Sequence, residues 1–286
     1  MVAEEIVARI KDRGYAVVEG VLTPEHCKLL TGKLEQLSDQ FSPKYHASGN
    51  TVNVHGQGDV RLVYNLHNKG REFLDLIFDP TVLEVAGQLL SAGSYGSKEP
   101  FQLALSQARG LYGTHPRQQL HIDSYIPGLE QILVLQAGWA LSEFKAGGGS
   151  TCFVEGSHRQ TSFPENGKDY PMSEIVAPAG SLVLFNGSMW HGSSVKADEA
   201  PRWGIFNRYS RWFMRPSFEH TDCTPSSVYR ELTDSQREIL GFRFKSPRDE
   251  FTRVTRISPQ PEFTTTNYLL PRDEAEAGPD SSGSGS

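Results

Sequence analysis

In the 286-residue chain, the run His121-Ile122-Asp123 sets an imidazole two positions before a carboxylate. On an extended segment those positions share a face, so both side chains can reach one ion while Ile122 points the other way. The turn-like Ser124-Tyr125-Ile126-Pro127-Gly128 follows, which puts the pair at a strand end, where a site can open. His191 comes much later, just past the strand-like run Ser181-Leu-Val-Leu-Phe-Asn-Gly187. A return strand there would bring it beside the first pair. Two histidines and one carboxylate make the facial triad that holds non-haem Fe(II) with open positions for other ligands. On its own the His-x-Asp spacing is equally that of a hydrogen-bonded pair at a turn, so elements elsewhere in the chain must decide.

A dicarboxylate bound beside such an ion needs a cation at its far end, and the planar fork of arginine suits a carboxylate. Arg202 opens the strand-like run Arg202-Trp-Gly-Ile-Phe-Asn-Arg-Tyr-Ser210, downstream of His191. Arg208 lies on the same nominal face of that run and is the competing candidate.

The elements that must position these residues are legible as helices first and strands after. Ile6, Val7 and Ile10 recur at helical spacing up to Gly14, and residues 15–22 then read as a strand. Thr23-Pro24-Glu25 reads as an N-cap, a first-turn proline and an acidic first turn, opening a helix to about Gln36. Residues 38–58 are polar and aperiodic and read as a loop or lid. Residues 70–91 read as two helical pieces broken at Asp79-Pro80, with Thr81 as a candidate second cap. From Phe101 onward, short β-type runs are punctuated by Gly, Pro, Ser and Asn: 101–110, 117–125, 131–144, 150–158, 174–187 and 202–213. Residues 226–241 return to helix.

Composition excludes several classes. The formal net charge is −6, with no basic tract interleaved with aromatics, which argues against a nucleic-acid groove. Three scattered cysteines, Cys27, Cys152 and Cys223, form no metal or redox pair. The charged N-terminus lacks the apolar block of a signal peptide, and no apolar stretch is long enough for a bilayer. The expectation is a soluble, cytoplasmic monomer or homodimer that acts on a small molecule, without nucleic-acid or membrane partners.

Several segments, taken in order, resemble the phytanoyl-CoA dioxygenase (PhyH) family of Fe(II)/2-oxoglutarate oxygenases over roughly residues 4–260. They are the opening GYAVVEGVLTPEHC, RQQLHIDSY, GGGSTCFVEGSH and MWHGSS. The resemblance implies a mainly β fold with flanking helices and a double-stranded β-helix (jelly-roll, cupin-like) core. It implies one domain over 1–270: helical support and lid in 1–97, β-helix core in 98–215, and a C-terminal helix and extension in 216–270. Residues 271–286 are expected to be a disordered tail.

By the same resemblance His121, Asp123 and His191 fall on the iron ligands and Arg202 on the arginine for the distal 2-oxoglutarate carboxylate. Gln118 and Thr151 fall on positions that help hold 2-oxoglutarate, and His158 on a structural turn. The implied cofactor set is Fe(II), 2-oxoglutarate as co-substrate and O2. The implied reaction is oxidation of a small or mid-sized metabolite or natural product, by hydroxylation, desaturation or a related C–H oxidation, with succinate and CO2 as co-products. Glu155 replaces the usual proline of the turn and Gly147 to Gly149 replace a common Asn-Gly, changes expected to affect loop shape. Asp123 disfavours halogenation, since halogenating relatives carry a small residue there. Tyr64, Asn65, His67, Gln119, Tyr125 and Trp212 are candidates to face the substrate. The alternatives are a cupin-type divalent-metal hydrolase or isomerase, and a non-catalytic metal-binding barrel.

Overall fold

The computed structural model describes residues 1–47, 59–91 and 100–243. Residues 48–58 of the expected lid, the extension after residue 243 and the expected tail lie outside the described residues. Helix α1 (Ala3–Arg13) buries Ile6, Val7 and Ile10. Its end is set by Gly14, which takes the left-handed conformation (φ 89°) that closes the last turn through its N–H to Ile10. Helix α2 (Pro24–Ala47) is longer than its sequence suggests. Ser38 does not break it, because its hydroxyl donates to the Glu35 carbonyl one turn back (2.9 Å). The polar face has partners on two strands: Asp39 pairs with Arg61 (3.3 Å), and Glu35 accepts from the Tyr112 hydroxyl (3.2 Å).

Two sheets follow. The larger has the order β1 (Tyr15–Val18), β7 (Leu182–Asn186), β4 (Val134–Ala140), β9 (Arg202–Arg211), β3 (Phe101–Tyr112), β2 (Asp59–Tyr64). Its described strands all pair antiparallel. The smaller has the order β6 (Ser173–Glu174), β5 (Thr151–Phe153), β8 (His191–Ser193). The arrangement is cupin-like, and the described strands form no closed barrel. Both edge strands of the larger sheet come from the first 97 residues, so that segment supplies sheet as well as helical support.

Strand alternation divides the chemistry between two faces. On one face Leu135, Ala137, Trp139, Leu182, Leu184, Trp203, Ile205 and Tyr209 pack with α1, α2, α3 (Arg71–Ile77) and α4 (Pro80–Leu90) in the main core. On the other, Ala140, Val183 and Phe185 join Phe144 and Phe153 in a second cluster. The same parity turns Arg202, Phe206 and Arg208 of β9 away from the helical core. Burial of the first face therefore settles where the second face's polar residues point. A one-residue slip in β9 would drive two arginines into the core, so the register is strongly specified.

Helix α4 is capped by Asp79, whose carboxylate accepts from the Val82 N–H (3.0 Å); the cap is Asp79 and not Thr81, because the turn begins at Pro80. Asp79→Ala is expected to lower stability by about 1 kcal/mol, read as a reduced urea midpoint at unchanged slope. The segment 226–241 forms two short helices, α5 (Ser226–Glu231) and α6 (Asp234–Ile239), the second opened by a Thr233/Gln236 capping box.

Candidate active site

His121 and Asp123 do not lie on a regular strand. Their segment is held by a single bridge from His121 to the strand bearing His191 and by a backbone bond from Asp123 to the turn after β7. His121 and His191 exchange backbone hydrogen bonds at 3.0 Å each way, and the Asp123 N–H donates to the Gly187 carbonyl at 2.7 Å. Gly192, next to the second histidine, must be a glycine for this approach, since a Cβ there would lie 3.0 Å from the Gln118 carbonyl.

The result brings together one nitrogen from each imidazole and one carboxylate oxygen, all within 4.8 Å of one another. His191 Nε2 lies 3.4 Å from Asp123 Oδ2, and the two imidazole rings are 4.4 Å apart. Each ring is oriented by its other nitrogen. His121 Nδ1 meets the Gln119 carbonyl (3.1 Å) and His191 Nδ1 the Met189 carbonyl (2.9 Å). A carbonyl only accepts, so both Nδ1 atoms carry the proton and both Nε2 lone pairs face the cluster. Burial, followed by the neighbouring His191, pulls His121 down to about 4, so its ring is neutral at pH 7. Burial alone would push Asp123 up, but Arg208 and then His191 outweigh it and hold the carboxyl well below the usual range.

The cluster sits in the wall of a cavity of about 810 Å³ that also contains Gln118, Thr151, Arg109, Arg202 and Arg208. Position along β9 separates the two arginine candidates, which share one face of the strand. At roughly 3.3 Å per strand residue, Arg202 and Arg208 stand roughly 20 Å apart along β9. Arg208 lies at the cluster end and donates through Nη2 to Asp123 Oδ1. Arg202 is almost fully buried, stacks on Phe144 (4.9 Å) and donates through Nη2 to the Gly149 carbonyl. Its Nε and Nη1 have no hydrogen-bond partner among the described residues. Burial and the nearby Arg109 lower Arg202 to about 9, which still leaves it charged at neutral pH. A buried guanidinium with unmet donors is costly in a ligand-free protein and is what an anion would satisfy.

Of the other residues singled out from sequence, Tyr64, Gln119 and Tyr125 line the cavity. Tyr125 is 68% exposed and held at φ 60°, a conformation disfavoured for a bulky side chain. The structure does not bring Asn65, His67 or Trp212 into that lining. Asn65 occupies a left-handed turn, and the Trp212 carbonyl accepts from Gln102 Nε2 (3.0 Å). His67 is fully buried, edge-on to His220 at 5.0 Å. His158 packs under α1, with Nε2 3.4 Å from the Lys11 carbonyl.

The His67–His220 pair has its own consequence. Burial lowers both, His67 well below its ordinary value and His220 to about 4, so each binds a proton more readily unfolded than folded. Stability is therefore complete above the unfolded value near 6.5 and is lost as the pH falls from there toward about 4. Denaturant midpoints are expected to drop between pH 7 and pH 5. His220→Phe, which keeps the edge-to-face packing and takes up no proton, should flatten that slope.

Sequence reading passed over Gln136, Ser193 and Arg109. Gln136 donates to Asp123 Oδ2; Ser193 accepts from Arg109 Nη1 (2.7 Å), which also reaches Gln118 Oε1 (3.3 Å). A signal existed: Gln136 interrupts the otherwise apolar strand VLQAGWA, and Arg109 is a charged residue within a largely buried strand. A buried polar group needs a partner and so marks a site.

The chain is also similar to known proteins. The chain is 24% identical to the dioxygenase af480 of Aspergillus fumigatus over 243 residues, covering 83% of this chain and 76% of that one. Among solved structures it is similar to HygX from Streptomyces hygroscopicus, crystallised with nickel and 2-oxoglutarate (TM-score 0.58, 19% identity, 76% of this chain and 90% of that one). It is also similar to the epimerase SnoN, crystallised with Fe3+, α-ketoglutarate and a nogalamycin compound (TM-score 0.55, 19% identity, 75% and 86% covered). The family model for phytanoyl-CoA dioxygenase (PhyH) matches residues 10–202, so the chain belongs to the PhyH family of Fe(II)- and 2-oxoglutarate-dependent oxygenases.

Proposed function

We propose that this protein is a non-haem Fe(II) and 2-oxoglutarate-dependent dioxygenase that oxidises a C–H bond of a small or mid-sized metabolite or natural product. His121, Asp123 and His191 hold the metal. The observation that carries the reading is the convergence of two Nε2 lone pairs and one ionised carboxylate on a single point, with Arg202 across the same cavity. The donor set, two nitrogens and one oxygen with open positions, is the one non-haem Fe(II) takes in oxygenases. Bound there, the metal would supply O2 activation, with O2 as the oxidant and 2-oxoglutarate as the two-electron reductant; the protein's contribution is placement and exclusion of water.

Arg202 anchors the distal carboxylate of 2-oxoglutarate; its guanidinium keeps donors, on Nε and Nη1, that no described residue satisfies. Thr151 and Gln118 line the same wall. Gln118 is fixed by the Ser193 N–H (3.2 Å) and by Arg109, so its side chain is positioned before any ligand arrives. Phe185, Phe206 and Leu105 give the cavity apolar surface that keeps water from the reacting centre. Phe185 also packs edge-on to the His191 ring at 4.9 Å, which locks it in place. Tyr64, Gln119, Tyr125, Ser217 and Phe218 line the remaining space and are assigned to the substrate. A hydrolase on the same metal is disfavoured because Asp123 is the only carboxylate among the described lining residues, leaving none to serve as a separate acid or base.

The test is aerobic turnover with Fe(II), 2-oxoglutarate and ascorbate against a metabolite library, read as succinate. Succinate above the uncoupled background identifies the substrate. A protein that makes no succinate from 2-oxoglutarate under any condition, yet hydrolyses or isomerises a compound with another divalent ion, would falsify the reading.

A further inference from the structure

Asp123 has more partners than a simple metal ligand requires. Its Oδ1 accepts from Arg208 Nη2, while its Oδ2 accepts from Gln136 Nε2 and faces His191 Nε2 at 3.4 Å. Arg208 and Gln136 are directly opposite one another on β9 and β4. Their side chains therefore leave the same face of the sheet side by side and meet one carboxylate. All three groups are nearly closed to solvent: the side chains of Arg208 and Asp123 are 12% and 6% exposed, and Gln136 is 4% exposed. The backbone of Asp123 is tied as well, through its N–H to Gly187.

We propose that Arg208 and Gln136 form a clamp that presents Asp123 to the metal through Oδ2 alone and keeps Oδ1 out of the coordination sphere. The argument rests on the assignment of His121, Asp123 and His191 as metal ligands. Carboxylates bind metal ions through one oxygen or two. An oxygenase of this type must keep positions open for a chelating co-substrate and for O2. A carboxylate free to bind through both oxygens closes one of those positions. A guanidinium bond to a carboxylate oxygen is roughly twice as strong as a neutral hydrogen bond, and the surrounding burial strengthens it further. Gln136 donates to Oδ2, which has a second lone pair left for the ion. Arg208 is thus a positioning residue for the metal site, and the competing assignment of Arg208 to the 2-oxoglutarate carboxylate is disfavoured because Asp123 already engages it.

The experiment uses Ni(II) as a redox-inert probe, with crystal structures of the Ni(II)-loaded protein and calorimetric titration of 2-oxoglutarate into it. The wild-type protein should show one Asp123 oxygen on the ion, with Arg208 on the other. R208M should show both oxygens on the ion and bind 2-oxoglutarate about tenfold or more weakly, the lower end of what loss of such an outer partner costs. R208K, which keeps a charged donor, should recover part of the difference. Both Asp123 oxygens on Ni(II) in the wild type, or unchanged 2-oxoglutarate affinity in R208M, overturns the clamp. The wild-type structure decides the matter even where a variant does not fold. A wild-type protein that takes up no Ni(II) at these three residues overturns the ligand assignment itself, a different result from a bound ion with the wrong Asp123 geometry.

Discussion

His191→Ala is expected to abolish metal retention and 2-oxoglutarate turnover together. The residue supplies one of two imidazole nitrogens, and its ring orientation is fixed by the Met189 carbonyl and by Phe185. Loss of an outer partner of a metal ligand costs roughly 10–100-fold in affinity. Loss of a ligand itself should exceed about 100-fold, since only one imidazole and one carboxylate remain. Metal content after dialysis, with circular dichroism to verify folding, measures the effect. A variant that keeps one equivalent of iron would place the second nitrogen ligand elsewhere.

Arg202→Met is expected to have opposite effects on two properties. Removing one member of a buried, hydrogen-bonded charge pair costs about 2 kcal/mol or more, so 2-oxoglutarate should bind at least about 30-fold more weakly while metal binding persists. The ligand-free protein should become more stable. Arg202 is buried beside Arg109 with two unmet donors, each of which costs about 1–3 kcal/mol. Methionine fills much of the same space without that cost, and the lost charged bond to the Gly149 carbonyl, worth about 1.5–3 kcal/mol, is smaller than the two unmet donors together. Thermal midpoints with and without 2-oxoglutarate test both halves at once. A midpoint that falls without ligand would mean that a protein group already satisfies the guanidinium.

These expectations rest on residues that differ in how far the sequence reveals them. The His121/Asp123 spacing was legible because i and i+2 share a face on any extended segment, even one tied by a single bridge and not part of a regular strand. A β-rich second half was legible from the turn-punctuated β runs, while the cupin-like core was implied by the family resemblance. The clamp on Asp123 was not, because Gln136 and Arg208 become neighbours only through the pairing of β4 with β9, a long-range register that local pattern does not encode. The length of α2 was hidden for a similar reason: its polar side is matched by Arg61 on β2 and Tyr112 on β3, partners distant in sequence. His67 was singled out for its type in a polar stretch, yet it belongs to a buried pair with His220. Residue type marks what a side chain can do, while burial and register decide whether it is placed to do it.

The central claim is tested most directly by anaerobic addition of Fe(II) and then 2-oxoglutarate, followed by visible absorption. Two imidazoles and one carboxylate that leave adjacent positions open predict a charge-transfer band that appears only with both present and saturates at one iron per chain. The same band should vanish in His191→Ala and require far more 2-oxoglutarate in Arg202→Met. Absence of the band in folded wild-type protein, or its persistence without His191, would contradict the account.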